Sequence, residues 1–325
     1  MNDLLRRYEL DLSIVVPIFN EEENVGPLWE ELRAVLDGMA GRSEVIYVDD
    51  GSTDDSAARA RQAAGSDPRF VLVRLARNYG QSAALAAGID RARGRVIVPL
   101  DGDRQNDPAE IPRLTAMLSD DVDVVCGWRR ERNDAPLRSA VSRAANRLIG
   151  RVTGVRLHDY GCTLKVFKAE FIRPVAIYGE MHRFLPVFAR ALGARIVEEE
   201  VNHRPRVAGR SKYGLDRTFR VALDLVCVQF MTRYRGRAMR FFGRFVWGQG
   251  LSAAACLAIG IAGWLGGGWE GGLWLLASVV LAVGATLTLG LGLVSELLWR
   301  TNDAARGERP FRLVDEVAPT GNRAD

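Results

Sequence analysis

The 325-residue sequence predicts an open α/β domain followed by a two-helix membrane hairpin. Three observations carry that prediction. Short Val/Ile/Leu runs alternate with helical patterns through the first 130 residues. Acidic turns follow three of those runs directly. From Phe245 to Trp299 the only charged residues are Glu270 and Glu296. The overall mean hydropathy of -0.04, with 48 % apolar and 26 % charged residues, therefore averages a water-soluble part and a lipid-soluble part. That split excludes a simple cytosolic enzyme and a disordered chain, and two spans are too few for a typical transporter.

The first five strands are expected at Leu12–Pro17, Val45–Asp49, Phe70–Leu75, Val96–Leu100 and Val122–Cys126. Their nearly continuous apolar runs suit strands of a parallel sheet covered on both faces. Helical spacing fills the intervals Glu22–Met39, Thr53–Ala64, Gln81–Ala92 and Pro108–Leu118. Asp50-Gly51-Ser52-Thr53 reads as a turn leading into an N-cap. Residues 137–149 read as a helix, Gly154–Cys162 as a loop, Glu170–Leu192 as mostly helical, and Arg195–Val201 as a further strand. On such a sheet, ligands bind beyond the carboxyl ends of the strands.

Leu215–Met231 has helical apolar spacing and is followed by Arg233, Arg235, Arg237, Arg240 and Arg244. An interfacial helix on an anionic leaflet fits this order better than a core helix. Phe245–Gly268 and Gly271–Trp299 are each long enough to cross a bilayer core, which takes about 20 residues. Arginines flank both outer ends and the Gly266–Gly272 joint has none, so both termini are expected in the cytoplasm. The first ten residues lack the apolar run of a signal peptide, which agrees. The expected divisions are residues 1–213, 214–244, 245–299 and a tail at 300–325. Four cysteines without CxxC spacing (Cys126, Cys162, Cys227, Cys256) suggest neither a zinc site nor a disulfide framework. The net charge of +4 is modest, only three of the 44 basic residues are lysines, and no nucleic-acid partner is expected.

The chemistry lies in the post-strand segments: Pro17-Ile18-Phe19-Asn20-Glu21, Asp49-Asp50-Gly51-Ser52 and Asp101-Gly102-Asp103-Arg104-Gln105. Acids gathered at strand ends repel unless a cation or hydrogen-bonding ligand compensates. Asp-x-Asp-x-Gln offers hard oxygen ligands, which suit Mg²⁺ or Mn²⁺ rather than zinc, and a hard cation with open positions is a place for a diphosphate.

In that order and spacing the three segments resemble glycosyltransferase family 2, whose members have the GT-A (Rossmann-like) fold. Arg77-Asn78-Tyr79-Gly80-Gln81, Asp103-Arg104-Gln105-Asn106-Asp107-Pro108, Asp159-Tyr160-Gly161-Cys162 and Gly209-Arg210-Ser211-Lys212-Tyr213 narrow the resemblance to the polyprenyl-phosphate glycosyltransferases. These include dolichol-phosphate mannose synthases, bactoprenol glucosyltransferases and the undecaprenyl-phosphate formamido-arabinose transferase. The two C-terminal spans match the bacterial members. Arg104 departs from the pattern, since relatives often carry an apolar residue there.

The resemblance implies inverting transfer of a sugar from a nucleotide diphosphate to a polyprenyl phosphate, such as undecaprenyl phosphate. The enzyme would sit in the bacterial inner membrane with its GT-A domain in the cytoplasm. A uridine donor is favoured over a guanosine one, and a homotetramer is among the assemblies implied. Pro17, Phe19, Glu21 and Asp50 map to the nucleotide pocket, with Asp50 accepting from a base N–H. Asp101 falls between ribose and metal, and Asp103 and Gln105 are metal ligands. Arg129, Arg138 and Ser142 map to the acceptor phosphate, with Arg206 and Lys212 closing over it. Asp159 matches an aspartate beside the reacting groups, where it could act as base, orient the acceptor or bind the sugar. His182 could border the sugar, although an ordinary helix-terminus role is favoured.

A phosphate monoester is already anionic near neutral pH, with a second pKa of about 6, so it needs a general base less than a sugar hydroxyl does. The site must instead hold two anions together, stabilise the leaving diphosphate and align the attack. Three competing classes fit less well. A processive polysaccharide synthase would carry a Gln-x-x-Arg-Trp segment, and no Arg-Trp dipeptide occurs. A non-catalytic membrane scaffold would not need the intact Asp101/Asp103/Gln105 set. A phosphatase or nucleotidyl transferase would need a nucleophile or a Gly-rich phosphate loop, and none is recognisable. Glucose, mannose, galactose, an amino sugar and formamido-arabinose are all compatible with the residues.

Overall fold

The structure is a computed structural model; it describes residues 8–130, 136–175, 177, 179, 181–204, 225, 227–234 and 237–306. Two compact units divide the chain, residues 1–229 and 230–325.

In the first unit a seven-stranded sheet has the order β3-β2-β1-β4-β6-β5-β7. Its strands are β1 (Leu10–Ile18), β2 (Ser43–Asp49), β3 (Phe70–Arg74), β4 (Gly94–Pro99), β5 (Val124–Trp128), β6 (Lys165–Lys168) and β7 (Ile196–Glu200). The β1/β2, β1/β4, β2/β3 and β5/β7 pairs are parallel. β6 runs antiparallel between β4 and β5. Six strands therefore point the same way, and their carboxyl ends share one edge. The chain winds outward from β1 to β3 and then returns to β4 on the other side of β1. The β1/β4 boundary is the topological switch point, where such sheets open a crevice.

Helices cover the sheet. α1 is Val25–Asp37, α2 Ser56–Ala64, α3 Gln81–Arg91 and α4 Glu110–Ala116. Leu12, Ile14, Val16 and Ile18 of β1 pack in one core cluster with Leu28, Trp29 and Leu32 of α1, Ala60 of α2 and Ile111 and Leu114 of α4. On the opposite face α3 approaches so closely that a Cβ at Gly88 would lie 2.3 Å from the Val15 side chain. Apolar residues on both faces explain why β1 reads as a nearly continuous hydrophobic run from Ile14 to Ile18 rather than an alternating one.

One expectation is corrected here and two are refined. The sheet is mixed, because Lys165–Lys168 forms a strand that the sequence reading left unassigned. The mostly helical stretch 170–192 comes in pieces: α6 (Ala169–Ile172) ends at once, a 3₁₀ turn spans Met181–Phe184, and α7 is Leu185–Ala191. α5, Pro136–Thr153, runs longer than the expected 137–149. The segment 215–231 lies largely outside the described residues, with 225 and 227–233 helical.

The second unit is a helical hairpin of α8 (Ala238–Leu265) and α9 (Glu270–Arg306). Both helices are long and apolar enough to cross a membrane. Most of their side chains, such as Trp247, Leu265 and Leu287, are exposed, which core helices of a soluble protein would not allow. Glycines let the two helices touch at the apex: a Cβ at Gly271 would lie 2.5 Å from the Trp264 amide nitrogen and 2.8 Å from the Gly260 carbonyl. Thr288 donates to Gln249 Oε1 at 3.0 Å, one polar tie between the helices. Phe230, Tyr234, Phe241, Phe242 and Phe245 stack edge to face at the other end.

Candidate active site

The carboxyl ends of β1, β2 and β4 bring the three acidic segments together, and the contacts between them are specific. Asn20 takes a left-handed φ of 54°, which asparagine tolerates. Its Oδ1 accepts from the Thr53 amide at 2.9 Å, and its own amide donates to Ser52 Oγ at 3.0 Å. The Glu21 amide donates to Ser56 Oγ at 2.8 Å. The turn after β1 is thus laced to the turn after β2. Pro17 lies in β1 opposite Val48, with Phe19 and Glu21 partly exposed just beyond.

Asp50 is 3 % exposed, and its two oxygens accept from the amides of Tyr79 and Gly80, each at 2.8 Å. Gly51 makes this possible. It has φ +70°, and a Cβ there would lie 2.5 Å from the Arg77 carbonyl carbon. The Arg77–Gln81 motif is therefore pinned by Asp50, with Arg77 stacked over the exposed Tyr79 ring at 4.8 Å. Asp50 has a positioning duty that its motif does not announce.

Asp101 lies next to the switch point. Gln81 Nε2 donates to its Oδ1 at 2.8 Å and Thr163 Oγ1 to its Oδ2 at 2.6 Å. Gly102 sits where a Cβ would be 2.9 Å from the Ile18 side chain, so the acidic turn rests on the end of β1. Asp103 is 9 % exposed, and its Oδ1 accepts from the Gln105 amide at 3.2 Å. Burial first, and then the Asp103 charge, push the Asp101 carboxyl up to about 6. Two repelling carboxylates and an amide form a hard-oxygen donor set that fits a divalent cation. Among the described residues no three His, Cys, Asp or Glu side chains converge on one point. A cation here would draw further ligands from phosphate and water, as Mg²⁺ and Mn²⁺ do.

Across the crevice, at the end of β5, Arg129 forms a bidentate pair with Asp159: Nε to Oδ2 at 2.6 Å and Nη2 to Oδ1 at 3.0 Å. The side chains are 14 % and 3 % exposed. Burial opposes the charge on Arg129, but Asp159 outweighs it and holds the guanidinium protonated. The Asp159 loop is itself braced. Glu198 of β7 accepts from the Asp159 amide at 3.0 Å, and Asp159 Oδ1 accepts from the Gly161 amide at 3.0 Å. The buried Lys165 donates to the carbonyls of Tyr160 and Cys162. Arg129 and Lys165 both act electrostatically on Asp101, so the acidic and basic groups share one crevice. Cys126 and Cys162 are buried thiols pushed up to about 12 and 11 by desolvation, inert as nucleophiles.

Ser142 is half-buried on α5. Arg138 lies on the same helix, but its side chain falls outside the described residues, as do Arg206 and Lys212 entirely. Residues that sequence reasoning missed are Gln81, Thr163, Glu198 and Ser82, the partner of His182. Ser82 Oγ and His182 Nδ1 are 2.8 Å apart. Burial, then the charges of Arg183 and Lys165, lower the ring to about 3, so His182 is neutral. His182 lies in the 3₁₀ turn, and its partner Ser82 is one residue along α3 from the Gln81 that holds Asp101. Only Gln81 had a signal, as the last residue of a quoted motif.

A mixed sheet with acidic turns at the ends of β1, β2 and β4 and a cationic wall at β5 defines a GT-A-type transferase domain. The chain belongs to glycosyl transferase family 2, whose description matches residues 13–175. It is 46 % identical to dodecaprenyl-phosphate galacturonate synthase of Rhizobium johnstonii, over 90 % of this chain and 88 % of that one. It is 37 % identical to undecaprenyl-phosphate 4-deoxy-4-formamido-L-arabinose transferase of Edwardsiella ictaluri, over 94 % of each. Among solved structures it resembles glucosyl-3-phosphoglycerate synthase from Mycobacterium tuberculosis, crystallised with Mn²⁺, UDP and phosphoglyceric acid. The TM-score is 0.54 at 18 % identity, covering 69 % of this chain and 78 % of that one, a likeness of fold.

Proposed function

We propose that the protein transfers a sugar from a nucleotide diphosphate, a uridine donor being favoured, to a polyprenyl phosphate at the cytoplasmic face of a bacterial inner membrane. The observation that carries the reading is the crevice itself: a turn with Asp103 buried and Asp101 half-buried, facing the Arg129–Asp159 pair at the switch point. Residues 1–213 form the transferase domain, 214–244 lie at the interface, 245–299 form the multi-pass anchor, and 300–325 are a cytoplasmic tail. The anchor suits an acceptor whose phosphate lies at the membrane surface.

Pro17, Phe19, Glu21 and Asp50 hold the nucleotide, and Asp101 reaches its ribose side. Asp101, Asp103 and Gln105 would hold Mg²⁺ or Mn²⁺, which when bound neutralises charge on the leaving diphosphate. Arg129, Arg138, Ser142, Arg206 and Lys212 receive the acceptor phosphate, where arginine forks match its oxygens. Asp159 holds the Arg129 fork in one orientation; a carboxylate already committed to a bidentate pair is better suited to orienting than to proton removal. The acceptor oxygen is already ionised and attacks the anomeric carbon. Its C–O bond to the diphosphate breaks as the new one forms on the opposite face, inverting the centre.

The test is a screen of nucleotide sugars against undecaprenyl phosphate in detergent, read by mass spectrometry. It begins with uridine donors of the galacturonate and formamido-arabinose in the relatives' names. A lipid-phosphate sugar that forms with Mn²⁺ and vanishes in a folded Asp103→Ala protein is expected. Metal-independent turnover, or near wild-type turnover by Asp103→Ala, would sink the assignment of these residues.

A further inference from the structure

We infer that Arg104, Glu31 and Arg204 form a bracket that sets the geometry of the Asp103–Gln105 turn for metal binding. The inference rests on the reading above that this turn holds the cation. Arg104 is the residue between the two ligands. Its φ is +61°, in the left-handed region that side-chain-bearing residues avoid. Something must hold it there, and Glu31 of α1 does. Arg104 Nε and Nη2 both donate to Glu31 Oε1, at 3.1 and 2.6 Å.

The other Glu31 oxygen accepts from Arg204 Nη1 at 2.6 Å. Arg204 Nη2 reaches Asp107 Oδ1 at 2.7 Å, and its amide donates to the Gln105 carbonyl at 2.9 Å. Asp107 in turn accepts from Asn202 Nδ2 at 3.1 Å and from the Ala109 amide at 3.0 Å. The turn is thus gripped on both sides of Arg104: by the side chain of Arg104 itself, and through the Gln105 carbonyl by Arg204. One carboxylate on α1 joins both grips. Asp103 and Gln105 are two residues apart on a tight turn, so a change in the torsions of the residue between them re-aims both. An apolar residue at 104 would turn the same corner without the tie to α1.

None of the three touches the cation, so all are positioning residues. Their removal should move metal affinity more than stability, because Arg104, Glu31 and Arg204 are each about a quarter to a third exposed. The experiment measures Mn²⁺ binding to the full chain in detergent by electron paramagnetic resonance, with UDP present, alongside thermal unfolding. Arg104→Ala and Glu31→Gln should each weaken Mn²⁺ binding about 10-fold, the lower end for outer-shell supports. Arg104→Lys, which keeps the charge but not the fork, should recover part of the loss. The unfolding midpoint should stay within about 3 °C, the size of a sub-kilocalorie change in a domain this large. Mn²⁺ affinity within twofold of wild type in both folded variants would overturn the bracket and leave the proposed function standing. Affinity lost together with a large fall in the midpoint would make the network a fold support, and also overturn it. A wild-type chain that binds no Mn²⁺ would remove the metal reading and the bracket together.

Discussion

Replacing Asp159 with asparagine keeps the volume of the side chain and removes its charge from opposite Arg129. In the native pair two N–H groups meet two carboxylate oxygens at 2.6 and 3.0 Å. An asparagine can turn its oxygen to only one of them, and its NH₂ then faces the other N–H. Asp159 Oδ1 also receives the Gly161 amide, so the same flip sets a donor against one of its two clients. The guanidinium, 14 % exposed, is left largely buried without its paired carboxylate. Breaking one side of a buried ion pair costs about 3–5 kcal/mol. At about 2–4 °C per kcal/mol for a domain this large, the lower figure predicts a midpoint lowered by about 6–12 °C. Arg129→Gln should destabilise by a similar amount, and the double variant by much less than the sum, because the second change removes a charge already unpaired. The assay is thermal unfolding of the detergent-solubilised chain by intrinsic fluorescence, with acceptor kcat/KM measured in parallel. Midpoints of Asp159→Asn within about 2 °C of wild type, or additive effects in the double variant, would refute the pair as a structural unit. A pair that is additive in stability yet lost in turnover would return Asp159 to the role of a general base.

Gly271→Val should disrupt the hairpin apex, since its Cβ would lie 2.5 Å from the Trp264 amide nitrogen, whereas Gly272→Val meets nothing within 4 Å. Thermal aggregation in detergent should come at least about 5 °C earlier for the first, by the stability scale above, and equal effects would contradict the packing. Gly51→Ala combines a φ of +70° with a 2.5 Å clash against the Arg77 backbone, so it should weaken nucleotide binding by displacing the Tyr79–Gly80 segment from Asp50. Calorimetry with UDP checks it, and unchanged affinity would separate that segment from the nucleotide pocket. Asp123 gives a pH signature. Burial alone would raise its carboxyl, but Lys168 at 2.6 Å and Arg195 at 2.9 and 3.2 Å hold it below the usual range. A depressed folded value means stability that is present above the unfolded pKa of about 3.9 and lost as pH falls below it. Asp123→Asn should therefore lose about 2 kcal/mol at pH 7 and show a shallower loss as pH falls below about 4; an unchanged acid limb would contradict it.

Six of the seven strands, the acidic turns and the hairpin were legible in the sequence, because each is encoded by neighbours along the chain. A strand buried on both faces must be apolar throughout, as Ile14–Val16 and Val45–Val48 are, and helices long and apolar enough to cross a membrane must shed charge, as 245–299 does. β6 was not legible. Four residues bounded by Lys165 and Lys168 carry no periodicity, and only the gap between β4 and β5 makes them a strand. Nor could spacing reveal which charges meet. Arg129 and Asp159, 30 residues apart, were read as separate agents, and they pair because β6 turns the chain back beside β5 and brings the 159–163 loop under its end. Arg104 looked like an inconsequential departure until Glu31, 73 residues earlier, stood across from it. His182 finds Ser82 across 100 residues, and burial, with the charges of Arg183 and Lys165, keeps the ring neutral. Residue type and local order determine which groups can ionise and where strands end. Which carboxylate faces which guanidinium, and how far each is from water, depends on the path of the chain between them, and only the tertiary structure settles it.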